Sequence, residues 1–442
     1  MTAEILLAVL LVLFLIDTPI AVAIGAASVA AIACQGDFPL QMVIQRLFSG
    51  TDSFHLLAVP LFMFAGTIME AGGISRRLID FATALVGWLP GGMAAVAVVS
   101  AMFFAGISGS AAADTAAVGS ILIPAMKKSG YRSDFAAAVQ AAGGSIGIVI
   151  PPSIPMIVFG FLTGASVGRL FTAGILPGLV IGLSLIVVSS LIARRQGYGA
   201  QTPFSPAEVL RTGRRALLAL GAPVIILGGI LSGIFTATES AAVAVVYGLV
   251  VGMAVYRRIA LRDLPRLFIS GSITAAIVMF IIACASVFSW IAAIEEIPAR
   301  MAAGLLALTD NPTLLLLTVN LVLLTAGTFV ETTAALILLV PMIVALLPEL
   351  GIDLIHLGVI VVVNLAIGML TPPMGICLIV SSSISGDRLA AVCRRIVPLS
   401  PGAAGRSGGD HLLAAADHDA GRDVQIKAVP RSGGQQWLAG PG

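Results

Sequence analysis

Apolar runs follow one another from residue 3 to residue 385, separated only by short charged, glycine or proline punctuation. A backbone surrounded by hydrocarbon must satisfy every N–H and C=O within the protein, so such runs form helices or a closed barrel. Continuous runs near 20 residues without strict alternation select helices. Composition agrees: 58% of the 442 residues are hydrophobic and 10% are charged, whereas a soluble domain carries about 25% charged residues. Lipid is the solvent that such a surface fits.

Several function classes fall away at once. The formal charge of +2 and small basic clusters between apolar runs suit membrane orientation, not tracking of a phosphate backbone, so no nucleic-acid partner is expected. Cys34, Cys284, Cys377 and Cys393 are scattered and mostly lie in apolar segments, where they read as small core residues. Only four histidines occur, with no HExxH, Gly-x-Ser-x-Gly or paired-Cys motif, so an enzyme is not expected. No basic region precedes the first apolar run, which reads as a first span and not a cleaved leader.

Two stretches half a chain apart place an acid inside a helix that the sequence interrupts. FAGISGSAAADTAAVGSILIP carries Asp114 and Pro124; LTAGTFVETTAALILLVP carries Glu331 and Pro341, and both spacings are 217. Each is followed by a second break, GIVIPPS at Pro151 and Pro152 and GMLTPPM at Pro372 and Pro373, spaced 221. Paired interrupted helices in corresponding halves point to a transporter binding site. The reading along the chain is spans at 3–16 and 19–35, an amphipathic connector at 38–53, and a re-entrant hairpin at 54–89 turning at Gly72 and Gly73. Broken spans at 92–126 and 133–165 follow, then a span at 170–193 and a polar linker at 194–215. The second half repeats this with two spans at 216–256, a basic connector, a hairpin at 272–308 and broken spans at 313–346 and 355–385.

Charges relate the halves. Arg76 and Arg77 at the first hairpin tip face Glu295 and Glu296 at the second; Lys127, Lys128 and Arg132 after one broken helix face Glu349 and Asp353 after the other. Basic loops stay in the cytoplasm, so corresponding loops of opposite sign lie on opposite membrane faces. The expected fold class is an all-α integral membrane protein of two inverted repeats with broken helices and re-entrant hairpins.

A helix broken in mid-membrane frees carbonyls that suit a hard cation and amides that suit an anion. Glycines let the chain turn there and hydroxyls replace lost hydrogen bonds. One site for a hard cation such as Na⁺ is expected from Ser110, Asp114 and the backbone between Gly147 and Pro151. A second is expected from Gly327, Glu331 and Thr332 with the backbone from Thr371 to Met374. A carboxylate in the bilayer core costs about 2.5–3.5 kcal/mol, which a bound cation offsets; a protonated acid pinning helices is the bland alternative. Ser108, Ser153 and Asn364 are weaker candidates for a substrate path, with helix-packing hydrogen bonds as the competing role for Ser153 and Asn364. Trp88 and Trp290 read as interface anchors, and Asp17, Arg46 and Glu70 as headgroup-level charges.

These residues resemble a family: the large membrane subunit (DctM or M subunit) of tripartite ATP-independent periplasmic (TRAP) transporters. The matching pieces are LIDTPIAVAIG, VPLFMFAGTIME, FAGISGSAAADTAAVGSILIPAMKKSGY, IGIVIPPSIPMIVFG, SGIFTATESAAVAVVYGL and IGMLTPPMGICLIV, spread over residues 10–385. The resemblance implies Na⁺-coupled import of small organic acids through the bacterial inner membrane, with no cofactor beyond the coupling ion. It also implies an elevator built from the hairpins and broken helices, moving against a scaffold. Two partners are implied: a small four-helix membrane Q subunit and a periplasmic substrate-binding P subunit. The chain then divides into scaffold at 1–53, a first transport half at 54–168, scaffold and linker at 169–271, a second transport half at 272–386, and a polar tail at 387–442. The repeat predicts a final helix where that tail stands, so a frameshifted or misassigned end is expected, with a disordered tail as the alternative. A stand-alone ion-coupled carboxylate carrier without a receptor is the alternative function.

Overall fold

A computed structural model describes residues 2–399 except 17, 37, 200–202, 308, 310 and 374. The expectations for Asp17, for Met374 and for the tail beyond residue 399 lie outside the described residues. All regular structure among the described residues is helical.

The first half contains α1 (Thr2–Leu15), α2 (Ile20–Gln35), α3 (Gln41–Thr51), the pair α4 (Ala58–Ala71) and α5 (Ile74–Val86), and the pair α6 (Gly92–Ser108) and α7 (Ala111–Lys128). Then come α8 (Ser133–Ser145), a 3₁₀ turn and two prolines, α9 (Ile154–Thr163), and α10 (Val167–Arg195). The second half contains α11 (Pro206–Leu231), α12 (Ala237–Val250), α13 (Leu264–Ile294), α14 (Ile297–Leu306), α15 (Pro312–Phe329), α16 (Thr332–Val344), the short α17 (Leu347–Leu350), α18 (Leu354–Gly368), α19 (Ile376–Ser385) and α20 (Leu389–Ile396).

Matching break to break gives one register of 221 residues. The α6–α7 break at Gly109 and Ser110 matches the α15–α16 break at Val330 and Glu331, and Pro151–Pro152 matches Pro372–Pro373, both cis. This corrects the 217-residue pairing of the two acids. Glu331 corresponds to Ser110, and Asp114 corresponds to Ala335. The physical reason is capping: the break follows the residue able to cap the next helix, and that is serine in one half and glutamate in the other. In the same register Lys128 faces Glu349 and Arg132 faces Asp353, so the charge reversal holds residue by residue at this loop, whereas Arg76 and Arg77 correspond to Ile297 and Pro298, next to Glu295 and Glu296.

Contacts along the helices fix their directions. α10 approaches Ala193 to Gly91, Gly182 to Met102, Gly178 to Ile150 and Gly174 to Met156, so α6 runs against α10 while α8 and α9 together climb toward the start of α10. α7 runs against α8, with Thr115 beside Gly144 and Gly119 beside Gln140, and α8 runs with α6, with Gly143 beside Val98 and Ala101. α7 therefore returns along α6, and the broken span expected at 92–126 is a helical hairpin turning at Gly109. α19 runs with α7: Cys377 touches Thr115 at one end, and Lys127 Nζ donates to Ser385 O at 3.0 Å at the other. α19 therefore runs opposite to its counterpart α9, and the repeats are inverted. They also interlock, because α9 packs on α16 as α19 packs on α7.

Small residues make this packing possible. Lipid tails are as apolar as leucine, so helices associate in a membrane through close backbone approach and side-chain hydrogen bonds. α8 (SDFAAAVQAAGGS) is buried from Phe135 to Ser145, and Gly327 meets Gly368 where α15 crosses α18.

Two further segments differ from expectation. The hairpin expected at 272–308 is the unbroken 31-residue α13, a turn at Glu295 and Glu296, and α14. In register 221, α3 corresponds to the start of α13; Asp52 and Ser53, which follow Thr51, are replaced by Ile273 and Thr274, so the connector fuses with the hairpin arm. The linker expected at 194–215 is shorter, because Ser205 caps α11 through Glu208 N and the helix begins at Pro206. Arg46 is also engaged: its guanidinium lies 5.0 Å from the Trp290 ring centre, with Phe38 edge-on to that ring at 5.2 Å.

Candidate functional site

The first-half break is held by a short set of hydrogen bonds. α6 ends at Gly109 in a left-handed turn (φ +64°), where a Cβ would come 2.6 Å from Pro152 O, so glycine alone fits. Ser110 is the N-cap of α7, and its Oγ accepts from Ala113 N at 3.5 Å. Ser110 N donates to Ser108 Oγ at 3.1 Å. The second break docks here: Ile154 N donates to Gly109 O at 3.2 Å. Ser153 caps α9, accepting from Met156 N at 3.3 Å while its hydroxyl donates to Ile148 O.

Asp114, in the first turn of α7, is completely buried. Ser108 donates its hydroxyl to Asp114 Oδ1, whereas Oδ2 has no hydrogen-bond partner among the described residues. Gly147 lies so close that a Cβ there would overlap Oδ2. A buried carboxylate oxygen without a donor is costly unless a cation or proton meets it. The donor set (a carboxylate, serine hydroxyls and carbonyls of an interrupted helix) suits a hard alkali cation and fits Na⁺.

The second-half break has the same architecture and a different electrostatic arrangement. Glu331 is the N-cap of α16: Oε2 accepts from Thr333 N at 2.8 Å and Ala334 N at 3.2 Å, and Oε1 accepts from Thr333 Oγ1 at 3.2 Å. The anion is thus served by the helix N-terminus it caps. Thr332 Oγ1 reaches Met369 Sδ at 3.3 Å, and Thr371 Oγ1 donates to Ile367 O at 2.9 Å. The segments that lead into the two proline breaks meet, beside α10, across a small void lined by Ser145, Ile146, Val149, Ala366, Ile367 and Leu370.

The structure therefore gathers Ser108, Ser110, Asp114, Gly147 and the Pro151 break into one cluster, and Gly327, Glu331, Thr332 and Thr371 into another. Ser153 is buried and engaged as a cap. Asn364 lies apart; its amide donates to Asn320 Oδ1 at 2.9 Å and to Ile360 O at 2.8 Å. Sequence reasoning passed over Thr115 and Cys377, the contact that brings α19 of the second half beside Asp114, and Thr333, which serves Glu331. Gln140 was also unmarked: both its amide atoms are buried and lack partners among the described residues. A single polar residue inside AAAVQAAGG was the available signal.

Comparison with known proteins decides the family: the tripartite ATP-independent periplasmic transporter, DctM component, matches residues 7–401. The chain belongs to this family. The C4-dicarboxylate TRAP transporter large permease protein DctM of Pseudomonas aeruginosa is 46% identical over 353 residues, 80% of this chain and 83% of that protein. The 2,3-diketo-L-gulonate TRAP transporter large permease protein YiaN of Escherichia coli is 39% identical over 383 residues, 87% of this chain and 90% of that protein. The isethionate TRAP transporter permease protein DctMQ of Oleidesulfovibrio alaskensis is 41% identical over 389 residues, 88% of this chain; the chain spans 61% of that protein's length. In fold, the chain is similar to the YdaH transporter of Alcanivorax borkumensis (TM-score 0.58, 15% identity, 82% of this chain and 85% of that one). It is also similar to MtrF of Neisseria gonorrhoeae (TM-score 0.57, 11% identity, 82% and 81%). Like its family, this chain is a multi-pass membrane transport protein. Among the described residues, five helices are long and apolar enough to cross a bilayer, or six if the α4–α5 pair, bent by 69°, forms one span.

Proposed function

We propose that this chain is the permease subunit of a Na⁺-coupled transporter that imports a small organic acid through the bacterial inner membrane. The observation that carries the reading is Asp114: a fully buried carboxylate with one oxygen held by Ser108 and the other unmet, at the meeting point of two interrupted helices. Ser110, Gly147 and the backbone at Pro151 complete the first sodium site. Gly327, Glu331, Thr332 and the Thr371 break form the second. The anionic solute binds between the breaks, and the hairpins with the broken helices move as an elevator.

The family supports the cargo class, because relatives are named for C4-dicarboxylates, sialic acid and a diketogulonate, all organic acids. It supports the partners as well. A periplasmic binding protein delivers the solute, and a small four-helix Q subunit packs on the scaffold; the name DctMQ joins the two membrane components in one longer relative.

The test is reconstitution. Proteoliposomes holding this chain, its Q subunit and its loaded receptor accumulate the solute under an inward Na⁺ gradient. Omitting any component, or replacing Na⁺ with choline, reduces uptake to background. Full uptake without Na⁺ would overturn the coupling, and full uptake without partners would overturn the tripartite assembly.

A further inference from the structure

A cavity of about 1010 Å³ lies away from both breaks, between α5, the start of α11 and the segment after α12. Three chain segments send arginines into it: Arg76 and Arg77 from α5, Arg211, Arg214 and Arg215 from α11, and Arg258 from beyond α12. The acids facing them are Asp80 and Glu208, and Glu208 is taken by Arg211 at 2.6 Å. Arg77 is placed over the Tyr256 ring at 3.4 Å, and its Nη1 donates to Gly73 O at 3.0 Å. Arg76, Arg214, Arg215 and Arg258 are exposed and form no ion pair among the described residues.

The backbone is shaped to bring Arg258 there. α12 ends in a π-turn over Val251–Val255, Arg257 takes a left-handed conformation (φ +52°), and Arg258 N donates to Gly252 O at 2.9 Å. Strained and π-helical turns persist where the surroundings hold them, commonly beside functional sites. Membrane orientation requires only that basic residues lie on the cytoplasmic side. It does not require them to converge from three distant segments on one cleft, where their mutual repulsion is unrelieved.

Guanidinium groups pair with phosphate through two parallel hydrogen bonds. The walls beside the cleft are apolar: Leu218 is 36% exposed, Val255 is 53% exposed, and Trp88 meets Phe204 edge to face at 5.5 Å, the aromatic pattern of the headgroup level. Basic pockets between membrane helices on the cytoplasmic side hold anionic lipid headgroups. We propose that this cleft binds phosphate ester groups, supplied by an anionic phospholipid of the cytoplasmic leaflet whose acyl chains lie along α11. The inference stands apart from the sodium sites.

The test measures lipid binding to the purified full chain by native mass spectrometry and by lipid-dependent thermal stabilisation, using phosphatidylglycerol, phosphatidylcholine and inorganic phosphate as probes. Phosphatidylglycerol binds saturably and phosphatidylcholine does not. The double variant Arg214→Gln/Arg215→Gln weakens phosphatidylglycerol binding about 25-fold, from about fivefold for each surface arginine. Arg214→Lys/Arg215→Lys retains most of the binding, and Arg262→Gln, outside the cleft, leaves it unchanged. If the double variant does not fold, Arg76→Gln on a different helix reads the same cleft with a loss of about fivefold. Equal affinity of wild type and variants, or equal affinity for the two lipids, overturns the site. Saturation by millimolar inorganic phosphate with displacement of lipid overturns the lipid as its source.

Discussion

Gly147 lies against the carboxylate of Asp114, with no room for a methyl group between its Cα and Oδ2. The contact joins the two breaks of the first repeat: α7 carries the charge, and the 3₁₀ turn after α8 closes over it. It also explains why an acid can sit at full burial here. Ser108 fixes one oxygen, Gly147 leaves space for the other, and the interrupted backbone supplies the polar surroundings.

Gly147→Ala forces Asp114 or the α8 turn to move. Overpacking of a tight site costs about 1–3 kcal/mol. The displacement is expected to reduce Na⁺-dependent uptake at least tenfold with membrane insertion unchanged, read as initial rates in proteoliposomes against the amount of inserted protein. A wild-type rate would show that the close approach does not matter.

Ser108→Ala removes the donor to Asp114 Oδ1 and leaves both carboxylate oxygens unmet. The hydrogen bond to a charged group contributes about 1.5–3 kcal/mol. The variant is expected to unfold at lower temperature in Na⁺-free buffer, with high Na⁺ restoring part of the loss. Identical melting curves in both buffers would remove Ser108 from the site.

Glu331 and Asp114 are expected to differ, because Glu331 caps α16 and Asp114 does not cap α7. Glu331→Ala deprives the Thr333 and Ala334 amides of their acceptor and should lower stability by about 1–2 kcal/mol in the absence of Na⁺. Asp114→Asn removes a buried unmet charge and should leave Na⁺-free stability equal or higher. Chemical denaturation of the two variants side by side checks this. The same loss in both would mean that the two acids serve one structural role.

The opposed directions of α9 and α19 place the first and second hairpin tips on opposite faces of the membrane. With Cys34, which is exposed, replaced by serine, Arg76→Cys should react with an impermeant maleimide only from the cytoplasmic side and Glu295→Cys only from the periplasmic side. Labelling of both from one side would break the inverted arrangement.

Asn364 tests whether a polar residue in an apolar helix is a packing device. Its bond to Asn320 joins α18 to α15. Asn364→Leu should cost about 0.6 kcal/mol of stability, as interhelical hydrogen bonds in membranes do, and leave KM for the solute unchanged. A raised KM without a stability loss would move Asn364 onto the substrate path.

The breaks, their proline pairs and the reversal of charge were legible in the sequence because each depends on local chemistry. Gly109 and Ser110 cannot continue a helix cheaply, Pro151 and Pro152 lack amide donors, and Lys128 against Glu349 records which side of the membrane each loop occupies. The register of the acids was not legible. A 217-residue spacing aligns two carboxylates and two prolines, and only cap geometry shows that Glu331 stands where Ser110 does. The fused α13 was missed because helix continuity there follows from the lack of a polar break at Ile273, an absence that composition does not mark. The arginine cleft needed the fold itself, since its members come from α5, α11 and the turn after α12.

Sodium titration of thermal unfolding, at constant ionic strength set with choline, measures the central claim most directly when wild type and Asp114→Asn are compared. The wild type should gain stability with the logarithm of Na⁺ concentration once its dissociation constant is passed, and Asp114→Asn should lose most of that slope. An undiminished Na⁺-dependent rise in Asp114→Asn would contradict the assignment of Asp114 as a holder of the coupling ion.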